Sequence, residues 1–443
     1  MMEREALAER ERSSGLLRIL GLAFGLAVVV GSTLGIGILR APGLVAAQVS
    51  SPSIILGLWL AGGLYTLLGA VCLAELGTML PEAGGYYVYA RHAFGDSIGF
   101  AVGWTDWVTY CAVLGYVSIA IGEFTAVLAP SLAALIKIVA VAALVGLVAL
   151  QSAGVRISSR FQEATTAVKF AAFVAVVVAA LVLAPAAATS RASLSIGHAA
   201  PSLVGVVVAL QSVVITYGGW QSALYFTEED RDPDRNLPRS MIAGVASVIV
   251  VYVLVNLALL SVLPVPDLAR STLPAADAAQ ILVGERGRQV ITVLSLLSLP
   301  PLLNAIMMIG TRILFAMGRD GLLWRRTAAV TAGGAPLTAT IVTTAVAVVL
   351  IASGTFQKLV AIASFLLVLN YSICCLALVV LRRREPDRPR PFRAWGYPWS
   401  AGIVLAGAAA FLVGAVIGDP VNAGAALALT AVGFAVRLLS ADC

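Results

Sequence analysis

Charge is what this chain has least of. Only 12% of its 443 residues are Asp, Glu, Lys or Arg, about half the share of a soluble domain. Hydrophobic residues make up 60%, and the mean hydropathy is +0.96. That balance excludes a water-soluble fold and makes the lipid bilayer the solvent. Histidine is scarcer still: His92 and His198 are the two in the chain, too few to build a metal site. The five cysteines, Cys72, Cys111, Cys374, Cys375 and Cys443, sit mostly in apolar segments with neither ligand nor disulfide spacing. No metal and no cofactor is expected. Met1 to Arg12 carries both signs of charge and the apolar run behind it is long, so no cleavable signal peptide is expected.

What is present is a series of apolar runs near the roughly 20 residues a membrane span needs. They run from Ile19 to Leu39, Ile54 to Ala74, Ser97 to Ala129, Ile138 to Val155, Ala164 to Ala184 and Pro201 to Thr227. Met241 to Leu263, Gln289 to Met317, Pro336 to Ile351, Leu359 to Leu381, Trp399 to Ile417 and Ala423 to Val436 follow. The expected fold is therefore an all-α integral membrane protein of twelve transmembrane helices. Of the 29 Lys and Arg residues, twenty-one fall on the side of the N-terminus, seven on the other, and Lys169 inside a span. Cytoplasmic loops hold the excess of basic residues, which puts both termini in the cytoplasm of a multi-pass cell-membrane protein. The net charge of +6 is thus sorted by membrane side and is no nucleic-acid footprint.

Two spans are interrupted. Gly31-Ser32-Thr33-Leu34-Gly35-Ile36-Gly37 lies within the first, and Thr216-Tyr217-Gly218-Gly219-Trp220 within the sixth. Each glycine costs a helix about 1 kcal/mol against alanine, and loosened backbone in hydrocarbon is tolerated where it lines a cavity or is buried in protein. Close helix packing through small residues explains one such stretch; two at matching places need more. With spans one to five and six to ten as two copies, each break falls in the first helix of its copy. An odd repeat length makes the copies inverted, the arrangement that marks a transporter's binding site. The expected organisation is a tail over 1–17, a first repeat over 18–185, a second over 200–381, and a loop with two added helices over 382–443.

An interrupted helix offers free N–H groups on one side of the break and free C=O groups on the other. An α-amino acid needs both. Its carboxylate is expected at the amides of Ile36 and Gly37, as anions sit at helix starts. Its ammonium is expected at carbonyls near Thr33, Ile215 and Gly218. Gly35, Tyr217 and Gln221 complete the expected lining. Lys169, inside the fifth span, is read as a fixed cation that bonds carbonyls of the first break; the alternative is snorkelling to the surface. Asp106 and Glu123, seventeen residues apart in the third span, form no acid pair, and either suits an interface. The stretch Glu75 to Arg91 reads as a turn followed by an interfacial aromatic segment. Glu228 and Glu229, at the mouth of the sixth span, join Ile215 as gate candidates.

These residues resemble the amino acid–polyamine–organocation superfamily, most closely its L-type amino-acid transporter branch. The likeness rests on Gly31 to Ile38, on Ala74 to Thr78 with Gly84-Gly85-Tyr86-Tyr87, and on Tyr217 to Trp220 with Thr227-Glu228-Glu229. Arg312 to Gly321 and Leu381 to Phe392 complete it. The resemblance implies a LeuT-type 5+5 core with broken helices 1 and 6, and alternating access. It implies sodium-independent transport, because the family's fifth-span lysine matches Lys169 and takes the place of a sodium ion. Where many relatives have serine, this chain has Ile36; where many have an aromatic gate, it has Ile215. The loop Leu128-Ala129-Pro130-Ser131 lacks the cysteine of heteromeric relatives, so no disulfide-linked heavy subunit is expected. The expected activity is exchange or proton-coupled uptake of neutral L-amino acids. An amine, polyamine or cationic amino-acid transporter is the alternative, and a non-transporting sensor a further one. An enzyme is disfavoured, since the spans hold no histidine and no clustered acids.

Overall fold

In the computed structural model, residues 15–188, 202–353 and 356–440 are described. Most of the charged N-terminal tail, the polar stretch with Arg191 and His198, and Cys443 lie outside them. The described chain is helical and forms no strand; one isolated bridge pairs Leu20 with Asp230.

The first span divides at Leu34-Gly35-Ile36 into α1 (Leu22–Thr33) and α2 (Gly37–Gln48), which meet at a bend of 43°. Next come α3 (Pro52–Met79), the short α4 (Tyr86–Phe94) and the long α5 (Asp96–Leu128). A 3-10 turn at Pro130–Leu135 leads into α6 (Ile136–Ser152), and then α7 (Val155–Ala188). The sixth span is α8 (Leu203–Thr216), three turn residues, and a 3-10 helix at Trp220–Glu229. The second half continues with α9 (Pro233–Val262), the short α10 (Val265–Arg270) and α11 (Pro274–Val283), and the long α12 (Glu285–Arg319). It ends with α13 (Leu337–Ser353), α14 (Phe356–Arg384), α15 (Trp399–Gly418) and α16 (Pro420–Ser440).

Among the described residues, ten helices are long and apolar enough to cross a membrane, and α1 with α2 makes an eleventh as a bent pair. The ninth expected span, α13, is apolar but shorter. The helices differ in burial: α6 and α15 bury 17% and 22% of an apolar stretch, whereas α12 buries 72%. In hydrocarbon an apolar face needs no protein cover, so the buried helices are those with polar groups to satisfy.

The structure departs from the sequence reading in two places. Tyr86, Tyr87 and Tyr89 are fully buried on α4, so the aromatic segment is a packed helix and not an interfacial one. Gly84 and Gly85, both with positive φ, fold the chain back and carry the segment inside. The connection after α9 also forms α10 and α11, each too short to cross a membrane. The four described cysteines are buried and unbridged.

Candidate functional site

The end of α1 shows why the first break is stable. A helix leaves its last four carbonyls without intrahelical partners. Here Leu34 N–H closes on the Val30 carbonyl at 2.8 Å, leaving those of Gly31, Ser32 and Thr33. The Lys169 ammonium, 1% exposed, donates to the Gly31 carbonyl at 2.9 Å and to that of Ser298 on α12 at 2.9 Å. A cation at the negative end of a helix dipole is favourable, by up to about 2 kcal/mol when partly buried. Gln162 Nε2 and Thr166 Oγ1, seven and three residues before Lys169, both donate to the Ala27 carbonyl, at 3.3 and 3.1 Å. One stripe of α7 thus holds the end of α1.

The Thr33 carbonyl is taken by Tyr252 of α9, whose Oη lies 2.6 Å from it and 3.0 Å from the carbonyl of Thr216, the last residue of α8. The phenol has one proton to donate, so the two carbonyls share it. Tyr252 therefore ties the ends of both interrupted helices to one point. Its ring packs on Tyr217, 4.8 Å between centroids, and edge-on against Trp59 at 5.6 Å. The breaks also touch directly. Gly219 has φ +115°, and a Cβ there would stand 2.6 Å from the carbonyl carbon and oxygen of Ser32. Only glycine permits both that conformation and that approach.

The other expected residues are placed as follows. Ile36 is buried and precedes α2, while Gly37 is half-buried, its Cβ position 3.1 Å from the Thr216 methyl. A helix start leaves its first amides without intrahelical acceptors, and Gly37 at the start of α2 stands beside Thr216 at the end of α8. Gly35 is buried between them and Thr33. Thr33 Oγ1 donates within its own helix to the Val29 carbonyl, so Thr33 offers main chain only. Tyr217 donates to the Trp59 carbonyl at 3.0 Å. Gln221 Oε1 accepts from the Gly219 amide at 3.2 Å, and its Nε2 lies 3.3 Å from Tyr110 Oη on α5. Ile215, 39% exposed, lines with Gly218 and Trp220 a small cavity walled by Tyr65, Leu367 and Tyr371. Ile215 and Gln221 thus serve different sides of the second break.

The gate candidates end in ion pairs. Glu229, fully buried, accepts two bonds from Arg312 of α12, at 2.9 and 3.0 Å. Glu228 accepts from Arg319 at 2.8 Å and from the Ala83 amide at 2.8 Å. Bidentate pairs of this kind fix geometry as well as charge. Backbone bonds from Leu20 N–H to the Glu229 carbonyl and from Arg231 N–H to the Leu20 carbonyl join the lead-in of α1 to the end of the 3-10 helix. Glu123 lies at the far end of α5, 4.0 Å from Arg40. Asp106 is fully buried, which removes it from any interface. Among the described residues no cluster of His, Cys, Asp or Glu suits a metal ion.

Sequence reasoning missed Tyr252, Gln162, Thr166 and Arg312. The polar residues three and seven places before Lys169 were the available signal, since they share its helix face. Tyr252, one aromatic in an apolar span, gives none.

Comparison with known proteins gives the family. The pattern of the amino acid permease family matches residues 20–436. The chain belongs to that family. Within it the chain sits in the amino acid–polyamine–organocation superfamily, L-type amino-acid transporter branch. It is 28% identical over 393 residues to the b(0,+)-type amino acid transporter 1 of Mus musculus, covering 86% of this chain and 80% of that one. It is 27% identical over 428 residues to the serine/threonine exchanger SteT of Bacillus subtilis, covering 96% and 97%. The large neutral amino acids transporter small subunit 2 of Mus musculus matches at 27% over 407 residues, covering 87% and 75%. This permease is thus an amino-acid transporter by family and no enzyme, carried on multiple membrane-spanning helices.

Proposed function

We propose that the chain is a sodium-independent secondary transporter that exchanges neutral L-amino acids by alternating access, with the α-amino acid group bound by main chain at the two breaks. The observation that carries this reading is the meeting of the breaks. The helix-end carbonyls of Thr33 and Thr216 meet at the Tyr252 hydroxyl, and Gly37, at the start of α2, stands beside Thr216. A zwitterion matches that pairing of partial charges. Lys169 supplies a fixed cation to the end of α1, the task of a sodium ion, which supports sodium independence.

The twelve spans form a five-plus-five inverted repeat over 18–185 and 200–381, with 382–443 added outside it and both termini in the cytoplasm of the cell membrane. Glu228 and Glu229 with their arginines, and Ile215 on the opposite side of the break, are the gates. The names of the b(0,+)-type and large neutral transporters support amino-acid substrates, and that of SteT supports exchange. The loop after α5, without cysteine, supports transport without a disulfide-linked heavy subunit. The test is counterflow in proteoliposomes preloaded with single amino acids or amines. Saturable uptake of neutral amino acids, unaffected by replacing sodium with choline, is expected. Uptake of amines without amino-acid competition overturns the reading.

A further inference from the structure

Asp106 stands apart from the site just described, yet it is joined to it. The carboxyl is fully buried in the middle of α5. Its Oδ2 accepts a 2.7 Å hydrogen bond from Tyr225 Oη on the 3-10 helix. Its Oδ1 has no partner among the described residues. The neighbouring side chain is Asn370 of α14, whose Oδ1 accepts from Thr105 Oγ1 at 2.9 Å and whose Nδ2 is also unpartnered.

The titratable groups around the carboxyl are Tyr225, Tyr110, Tyr86 and Cys374, none of them a cation. Several basic residues on the helices packed against α5 are engaged elsewhere. Arg91 of α4 is held by Asp96 and Asp320, and Arg384 of α14 by the Ala93 carbonyl. Arg312 is held by Glu229, Arg319 by Glu228 and Arg382 by Glu75. Arg437 lies over the Phe100 ring, and Lys137 donates to the Ala352 carbonyl. An ionised carboxylate whose neighbours are neutral side chains, with no counter-charge, costs several kcal/mol in such surroundings. A neutral carboxyl does not. An ion-paired structural acid looks different: Glu229, equally buried, has its arginine.

Tyr225 belongs to the 3-10 helix that carries the second break, and it packs edge-on against Tyr110, 5.5 Å between ring centroids. Tyr110 meets Gln221, which accepts from the Gly219 amide. A polar chain thus runs from the meeting point of the two breaks to Asp106.

We propose that Asp106 is a proton-binding site of the transport cycle, holding a proton in the arrangement seen here and releasing it when the 3-10 helix shifts and water reaches the carboxyl. The proposal rests on the transport reading above. Solvation gives it a direction. Water stabilises the carboxylate once it enters, whereas an ionised Asp106 makes the water-free arrangement, through which every exchange must pass, costly. Exchange should therefore fall as pH rises.

The test is exchange of a labelled neutral amino acid in proteoliposomes of the full chain, with equal pH inside and out, from about pH 5 to about pH 9. Wild type should lose rate as a single-proton titration. Asp106→Asn, a permanently neutral isostere, should keep the low-pH rate at high pH, an outcome misfolding cannot imitate. In infrared spectra of wild type, a protonated-carboxyl carbonyl band should vanish over the same pH interval, and it should be missing in Asp106→Asn. Tyr225→Phe, which deprives the carboxylate of its donor, should move the midpoint to higher pH. A pH profile unchanged in Asp106→Asn, or no such carbonyl band in wild type at the pH of maximal exchange, overturns the proposal. Absence of amino-acid exchange in wild type at every pH instead overturns the transport reading, and the infrared titration then judges the proton site alone.

Discussion

Replacing Lys169 by methionine removes one charge and two hydrogen bonds and leaves most of the side-chain volume. The Gly31 and Ser298 carbonyls, each 2.9 Å from the ammonium, lose their donor. A buried unsatisfied carbonyl costs about 1–3 kcal/mol, hence about 2–6 kcal/mol for the pair. Against this, the variant no longer buries an ammonium that has no carboxylate partner, and that relief is also several kcal/mol. The two effects nearly cancel, so expression and thermal unfolding should be close to wild type. Transport should not be. The negative end of α1 loses a countercharge worth up to about 2 kcal/mol. If the transport-competent break depends on it, the rate falls by about thirtyfold. Initial rates of counterflow, normalised to reconstituted protein, measure this, with Lys169→Ala as the harsher version. Uptake within about twofold of wild type from well-folded Lys169→Met would refute the role given to the cation.

Other perturbations separate the elements of the site. Tyr252→Phe keeps the ring stack on Tyr217 and Trp59 but removes the shared donor to Thr33 and Thr216; the expected result is a lower melting temperature, since a buried carbonyl without its donor costs about 1–3 kcal/mol, and a KM raised by about tenfold, corresponding to about 1.4 kcal/mol, and an unchanged KM refutes it. Gly219→Ala places a Cβ against the Ser32 backbone at a positive φ. It should cost more than the about 1–2 kcal/mol of left-handed backbone alone, visible as a lower melting temperature and lost exchange. Gly57→Ala, inside α3 where a Cβ meets nothing within 4 Å, is the control and should leave exchange unchanged.

How far residues announced their structure depended on what kind of constraint they carry. The breaks were legible because glycine within an apolar run contradicts both helix propensity and lipid exposure, and they fall where α1 and α8 end. The apolar runs located the helices, though not the short α10 and α11, whose sequences lack a long apolar stripe. Lys169 stood out because charge inside a span is rare, but its second acceptor, Ser298, comes from α12 and had no local mark. Tyr252 and Arg312 were illegible for the same reason: their partners lie 219 and 83 residues away in the chain. Three tyrosines on α4 misled, because aromatic residues beside a polar turn suit a membrane interface as well as a core.

Main-chain recognition of the α-amino acid group is the central claim, and one competition series tests it most directly. Exchange of a labelled neutral amino acid in proteoliposomes is challenged with the same unlabelled amino acid, its amide, its N-acetyl derivative and the corresponding amine without a carboxyl group. If helix-end carbonyls hold the ammonium and helix-start amides hold the carboxylate, the intact amino acid alone should compete. The three altered compounds should then fail at concentrations that saturate it. Competition by the amine or by the N-acetyl derivative, at concentrations similar to those of the amino acid, would contradict the account.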